Sequence, residues 1–393
     1  MPRVPVIALI DGEHHPAAVG EVLAGLDLAG VVFCGGEEKL GPGPLEDHYG
    51  RRVETDPEEA LRRLAPTADA VVDLADEPIL PPRAKLRLAA IALHLGLRYE
   101  APGLRLDPPL YEPVGFDGPR LAVIATGKRT GKTALACHLA RLLREHDPVV
   151  VCMGRGGPDP PAVASPDTSL DDLLATAESG AHAASDYLED AVLAGVPTVG
   201  CRRVGGGLAG APAESNVPEG AALAASLAPG LILFEGSGSC IPPVEVDRTV
   251  CIVGSGDPEP LSDYRLLRSD LLLAREGAAA PPGALRFELR PEPAEPLPAD
   301  ARVALFTTGA TRCAGVEPVV ASANLARRSA LAGDLDRAAA ERCDVWLTEL
   351  KAAAIDTVAA RARAEGARVV FVRNRPAGDG LDEALVKLYR DAA

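Results

Sequence analysis

The chain is 393 residues long and 47% hydrophobic, enough to bury a large core and to form two or three domains. A formal net charge of −16 excludes a nucleic-acid surface, so any polyanionic ligand has to meet a local basic pocket in an acidic protein. The first apolar run, 4–10, stops at Asp11, and no later run approaches the roughly 18 residues of a membrane span. A cytoplasmic protein without a membrane partner is expected. The eight cysteines are dispersed and none are spaced C-x-x-C, so neither a disulfide framework nor a zinc site is indicated.

Strand and helix signals alternate from the start. VPVIALI (4–10) reads as a strand, followed by DGEHHP and a helix through Leu26. GVVFCGG (30–36) and AVVDLAD (70–76) are further strands, with helical signals around 61–64 and 82–95 and a short strand near 98–100. This order predicts a parallel sheet with helices on its faces, and in such sheets ligands bind beyond the carboxyl ends of the strands. Glu13 and His14 lie at the first of those ends and are candidates for contact with a substrate, although an ordinary surface loop explains them equally well. A Pro-rich stretch, 102–119, separates this unit from the next.

The most informative segment follows. LAVIATGKRTGKTALACHLARLL (121–143) runs from an apolar strand through a glycine-interrupted loop into a helix. Gly131-Lys132-Thr133 has the form of the end of a phosphate-binding loop: backbone N–H groups and the helix N-terminus wrap phosphates, the Lys reaches the terminal phosphates and the Thr hydroxyl can hold Mg²⁺. The loop pattern wants Gly at 126, where this chain has Thr126 followed by Gly127. Shortened loops with an extra Lys occur in the P-loop branch that contains ATP-dependent small-molecule ligases. Only six of the 40 basic residues are lysines, and Lys128 and Lys132 both fall in this loop. Their compact point charge marks them as chosen for the task. The expected nucleotide contacts are Gly127, Thr130, Gly131, Lys132, Thr133 and Ala134.

Beyond the loop come a strand at 148–154, helices at 171–179 and 185–195, a strand from 198, and buried strands at 231–235 and 249–255. Glu235 ends an apolar run and precedes Gly-Ser-Gly-Ser, the place where P-loop proteins put a carboxylate to bind or orient Mg²⁺. Arg155, in MGRGG, and Arg202 with Arg203, in CRRVGGG, stand beside glycine loops suited to phosphate or carboxylate. Asp186, Glu189 and Asp190 are spaced to share a helix face, for a metal, for acid–base work, or simply for solvent. His138, on the P-loop helix, reads as packed or exposed rather than catalytic. The block 291–300 reads as a Pro/acid linker, and a third α/β unit follows: a strand at 302–309, helices over 317–341, a strand at 344–350, an Ala-rich helix and a strand at 368–374. The fold class predicted is multidomain α/β, a central P-loop NTPase-type parallel sheet flanked by smaller α/β units, with domains at 1–115, 116–300 and 301–393.

FEGSGS followed by Pro resembles the VEGAGG segment of ATP-dependent ligases such as dethiobiotin synthetase and cobyrinate amidotransferase. Taken together, DGEHHP, ATGKRTGKT, MGRGGP, SDYLEDA, CRRVGGG, FEGSGS and TELKAAAID resemble the cyclic 2,3-diphosphoglycerate synthetase family over nearly the full length. The resemblance implies ATP-dependent closure of 2,3-diphosphoglycerate through an intramolecular phosphoanhydride, with release of ADP and phosphate. It implies that Lys132, Lys128 and Arg129 neutralise the transferring group, that Thr133 and Glu235 hold Mg²⁺, and that Asp186 adds a carboxylate. Arg155, Arg202 and Arg203 would then hold the acid substrate. A homodimer is the expected assembly. The rival readings are a 2-phosphoglycerate kinase or another small-acid ligase of the dethiobiotin synthetase-like group. A metallochaperone lacks its Cys/His cluster, and a GTPase lacks its N-K-x-D string.

Overall fold

A computed structural model describes residues 5–180, 182–255 and 261–393. The chain divides into two compact units. The first comprises residues 5–110 together with 208–210 and 261–268. Its sheet has the order β2-β1-β3-β4-β5, from β1 (Val6–Ile10), β2 (Leu28–Phe33), β3 (Ala70–Asp73), β4 (Arg98–Ala101) and β5 (Leu104–Leu106). The first four strands are parallel, as the alternating signals predict, and β5 adds an antiparallel edge. Helices Pro57–Leu64 and Pro82–His94 each carry Pro in the first turn, where a missing N–H costs nothing. The late segment is integral to this unit: helix Ser262–Leu267 packs on Pro82–His94, and Arg87 pairs with Asp263 at 3.3 Å.

The second unit comprises 111–207, 211–255 and 269–393. Its 13 strands are β6 (Arg120–Ala125), β7 (Pro148–Gly154), β8 (Ala162–Ala164), β9 (Thr198–Val204), β10 (Glu214–Ser215), β11 (Leu231–Glu235), β12 (Arg248–Val253), β13 (Leu271–Arg275), β14 (Leu285–Pro293), β15 (Val303–Phe306), β16 (Val320–Ser322), β17 (Val345–Glu349) and β18 (Arg368–Ala377). The order is β10-β9-β7-β11-β6-β12-β13-β14-β18-β17-β15-β16, with β8 paired to β9. From β9 to β14 the strands are parallel, and β16, β15, β17 and β18 are parallel among themselves. The two sets join antiparallel where β14 meets β18. β6 and β11 are buried along nearly their whole length, as continuous apolar runs in a covered parallel sheet should be.

Two readings of the sequence need correction here. The block expected as a linker from 291 begins inside β14, where Pro291 and Pro293 lie opposite Asn374 and Val372. This half of β14 pairs only with β18, which leaves its other side free of the ladder and so tolerant of Pro. The helices expected over 317–341 reduce to one, Arg328–Ala340, preceded by β16.

Two shared cores make the second unit continuous. On the helix Lys132–Leu142, Leu135 and Leu139 are buried one turn apart and pack with Leu121, Leu233 and the last helix's Leu381, Leu385 and Leu388. Leu173, Leu174 and Leu188, from the P-loop portion, share a core with Phe306, Trp346 and Ile355 of the C-terminal portion. Trp346 is fully buried, donates its indole N–H to the Cys343 carbonyl at 3.0 Å and meets Phe306 at a ring separation of 5.3 Å. Among the described residues no helix is long and apolar enough to cross a membrane.

Replacing Phe306 with Ala removes the ring that packs on Trp346 and should cost about 3–5 kcal/mol. Because Trp346 is the single tryptophan, its fluorescence during denaturant unfolding measures the loss directly. A change below about 1 kcal/mol would show that the two portions do not depend on this core.

Candidate active site

One cavity of about 610 Å³ lies where strand ends of the second unit converge. Its walls are Lys128–Thr133 after β6, Cys152 and Gly154–Gly157 at β7, Glu235–Gly238 at β11, Asp186 and its neighbours, and Lys351 after β17. The carboxyl ends of both parallel sets therefore reach the same space.

The loop is built by backbone conformations that the sequence permits. Gly131 has φ +102° and forms the N-cap of the helix Lys132–Leu142. A side chain there would be strained whatever the space. Arg129 is also left-handed, at φ +57°. Thr126, the departure from the usual loop pattern, sits at its start, where its hydroxyl accepts from the Gly254 N–H at 3.2 Å and so ties the loop to the end of β12. Lys132 is only 7% exposed, and its ammonium donates to the carbonyls of Gly127 at 3.1 Å and Gly238 at 2.7 Å. Burial lowers its pKa, while the charges of Glu235 and Asp186 act to raise it. Gly238 has φ +63°, and a Cβ there would stand 2.8 Å from an Arg155 guanidinium nitrogen. Thr130 presents a buried hydroxyl with no partner among the described residues.

Glu235 is buried at the end of β11, where its Oε1 accepts from Thr133 Oγ1 at 2.7 Å and its Oε2 from the Cys152 thiol at 3.3 Å. Behind it lies Asp190, fully buried, which accepts from the Cys137 thiol at 3.1 Å. Burial first, and Asp186 second, push the Glu235 pKa up, and burial with the neighbouring Glu235 pushes Asp190 well above the ordinary carboxyl range. Both acids are therefore shifted toward the neutral form, Asp190 the more strongly. Asp190 Oδ2 has no hydrogen-bond partner among the described residues. Cys152, Asp190 and Glu235 place one ligand atom each within 4.8 Å of one another. Burial also drives the Cys152 thiol far above its usual pKa, so it acts here as an S–H donor and not as a thiolate ligand. The oxygen donors, Thr133 and Glu235 with Asp186 on the cavity wall, suit a hard cation such as Mg²⁺.

The expected residues divide clearly by position. Lys128, Arg129, Thr130, Gly131, Lys132, Thr133, Arg155, Asp186 and Glu235 all line the cavity. Gly127 contributes its carbonyl to Lys132, and Ala134 follows on the helix outside the lining. Arg202 points away and pairs with Asp159. Arg203 is buried beneath the wall, donating to the Gly205 carbonyl and, at 3.0 Å, to the Ser237 carbonyl, so it braces the Ser237–Gly238 turn. Glu13 and His14 belong to the first unit, where their backbone N–H groups cap Asp11 Oδ1 at 3.0 and 3.3 Å. Glu189 and Asp190, read as possibilities for a solvated helix face, are both buried, and the segment after them, Ala191–Gly195, widens into a π-helix. His138 pairs with Asp382 at 2.7 Å, away from the cavity. Lys351 and His182 line the cavity without having been singled out. The signal for Lys351 was available, since it is another of the six lysines.

Comparison with known proteins agrees with this layout. Domain models of one family match in order: the cyclic 2,3-diphosphoglycerate synthetase N-terminal domain at residues 5–107, its P-loop domain at 120–273 and its C-terminal domain at 301–375. The chain belongs to the cyclic 2,3-diphosphoglycerate synthetase family. The protein of that name from Rubrobacter xylanophilus is 44% identical over 98% of this chain and 97% of its own length. Those from Thermococcus onnurineus and Methanothermus fervidus are 36% and 31% identical, each over 98% of this chain and 98% and 97% of their own lengths. Membership makes the protein an enzyme of the synthetase class with a P-loop domain, and the lysine-rich loop and strand-end acid are parts of that domain.

The upward shift of Asp190 has a measurable consequence in the metal-free protein. Its folded pKa lies above the unfolded value of about 3.9, so the folded chain binds more protons and stability falls as pH rises above about 4. Asp190→Asn keeps the shape and removes the titration. In melts with a chelator between pH 5 and 8, the variant should gain on wild type by up to about 1.4 kcal/mol per pH unit. A gap that stays constant with pH would show that Asp190 is ionised in the fold.

Proposed function

We propose that this enzyme closes 2,3-diphosphoglycerate into a ring at the expense of ATP, releasing ADP and phosphate. The observation that carries the reading is the composition of this cavity. A P-loop supplies Lys128, Lys132 and a helix N-terminus, and beyond these stand Arg155 and Lys351, cations that a nucleotide site alone does not need. Among the described residues Arg155 has no hydrogen-bond or ion-pair partner, so its planar fork is free for a second anion.

In this reading the γ-phosphoryl group of ATP moves to one phosphate of the acid, breaking the bond to ADP and forming a phosphoanhydride. The other phosphate then attacks the inner phosphorus and expels the outer one as inorganic phosphate, which leaves one P–O–P bridge in the ring. Both steps set anion against anion, so the protein's task is to align and neutralise. Lys132 leaves its two carbonyls for the terminal phosphates, Lys128 and Arg129 flank them, and the backbone of 130–133 wraps them. Thr133 and Glu235 would hold Mg²⁺, with Asp186 as a further oxygen donor. Bound there, the ion would supply charge neutralisation on the phosphates.

The product decides between this reaction and a kinase acting on 2-phosphoglycerate. With ATP and 2,3-diphosphoglycerate, ³¹P NMR should show anhydride signals and one inorganic phosphate released per ring. Monoester signals without phosphate release would overturn the assignment.

Lys132→Ala removes a donor aimed at the transferring group and should lower kcat by about 10²–10³. One of its two acceptors, Gly238, lines the cavity, so water can replace the ammonium there and the melting temperature should barely move. Near-normal turnover in the folded variant would remove the P-loop from the chemistry.

A further inference from the structure

Lys351 is supplied by the C-terminal portion, two residues after β17, and it enters a cavity whose other cations come from the P-loop portion. Its ammonium lies 3.2 Å from Glu189 Oε1; the Lys side chain is 34% exposed and the Glu side chain 6%. Glu189 is therefore the buried anchor, and Lys351 is the end that faces the cavity. The second carboxylate oxygen of Glu189 has no partner, so the acid makes no other contact that would explain its burial.

An ammonium carries three donors. Among the described residues Glu189 is the one acceptor found for Lys351, whereas Lys132 meets two carbonyls and Lys85 meets Asp73 and Ala75. Two N–H bonds of Lys351 are thus left for a ligand. The Glu189 carboxylate raises the Lys351 pKa, while burial pushes Glu189 itself up to about 7. The backbone beside Lys351 departs from regular geometry. Ala352 is left-handed at φ +49°, a conformation costly for a residue with a Cβ, and Ala354–Ala359 form a π-helix, a turn frequent at functional sites. Glu349, two residues earlier, is fixed separately by the Thr308 N–H and hydroxyl and by Asn374, at 2.7–2.8 Å. Three of the chain's six lysines, Lys128, Lys132 and Lys351, line this single cavity.

We propose that Lys351 is a substrate-binding residue that takes a phosphate of the phosphorylated acid, with Glu189 as the positioning residue that aims it. The assignment rests on the proposed reaction, in which a second polyanion must lie beside the nucleotide. The nucleotide's phosphates are served by the loop of the first parallel set. Lys351 arrives from the other set and holds the partner anion, so that the two reactants are gripped from separate walls.

The test compares wild type, Lys351→Met, and the double variant Lys351→Met/Glu189→Gln, which removes the unpaired buried acid and keeps the fold testable if the single variant unfolds. Steady-state kinetics are run with ATP and 2,3-diphosphoglycerate, and binding of a non-hydrolysable ATP analogue is measured by calorimetry. Loss of a charge-assisted hydrogen bond should raise KM for 2,3-diphosphoglycerate about tenfold or more in the double variant, with the affinity for the ATP analogue within about twofold of wild type. Lys351→Arg should restore part of the loss. An unchanged KM for the acid in an active double variant, or a loss confined to the ATP analogue, overturns the assignment of Lys351 while leaving the proposed reaction standing. A wild-type enzyme that forms no ring overturns both.

Discussion

The cavity depends on charged side chains that partners from separate segments hold in place. Lys132 sits under the loop on two carbonyls, one of them from the turn after β11, and Glu235 at the end of that strand holds the Thr133 hydroxyl. Lys351 and Glu189 repeat the arrangement across the C-terminal portion. Removing one member of the Lys351–Glu189 ion pair leaves an uncompensated charge, which is costly, whereas the intact pair adds little net stability. These groups are retained for placement. In the proposed reaction the lysines stand where phosphates would arrive and would need little rearrangement, which is the form of preorganisation that electrostatic catalysis requires.

The topology explains how distant segments come to share one space. Had all strands from β6 to β18 run the same way, the end of β17 would lie along an extended sheet edge, away from the P-loop. The antiparallel junction between β14 and β18 reverses the second set, and the shared core of Leu173, Leu188, Trp346 and Ile355 folds it against the first. Glu189 and Lys351 then meet as neighbours although 162 residues separate them in sequence. The Glu292 carboxylate on β14 reinforces the junction by accepting from Arg373 at 2.6 Å and Arg375 at 3.1 Å on β18.

The parts of the site legible in the sequence are those whose geometry is local. A strand, a glycine loop and a helix in immediate succession define the phosphate loop, and an acid ending an apolar run is a strand-end acid wherever the strand lies. The arginine pair shows where such reading stops. Arg202 and Arg203 are adjacent, but they sit on β9, where side chains alternate between faces. The pattern of the strand buries Arg203 and exposes Arg202, so the two cannot grip one ligand together. Period-two bookkeeping on a recognised strand would have separated them. Other failures were non-local. Nothing near Glu189 or Asp190 indicates that their partners are Lys351 and Glu235, and the prolines of β14 hide a strand because only its second half, free on one side, can tolerate them.

The contrast between the chain's net charge of −16 and its lysine-bearing cavity governs how substrate is captured. An acidic exterior repels a polyanion at long range, but at physiological ionic strength that repulsion fades beyond about 8 Å. Inside the cavity screening is weaker, and Lys128, Arg129, Lys132, Arg155 and Lys351 outnumber the lining carboxylates Asp186 and Glu235, with Glu189 buried beside Lys351. The attraction is therefore short-ranged and confined to the place where the donors converge. An anion gains from it only by entering far enough to meet several cations at once, which favours compact ligands with two phosphates over single ones. Under the proposed reaction, selectivity for a doubly phosphorylated acid would follow from the depth and number of the cations, with no need for a positively charged surface to guide it there.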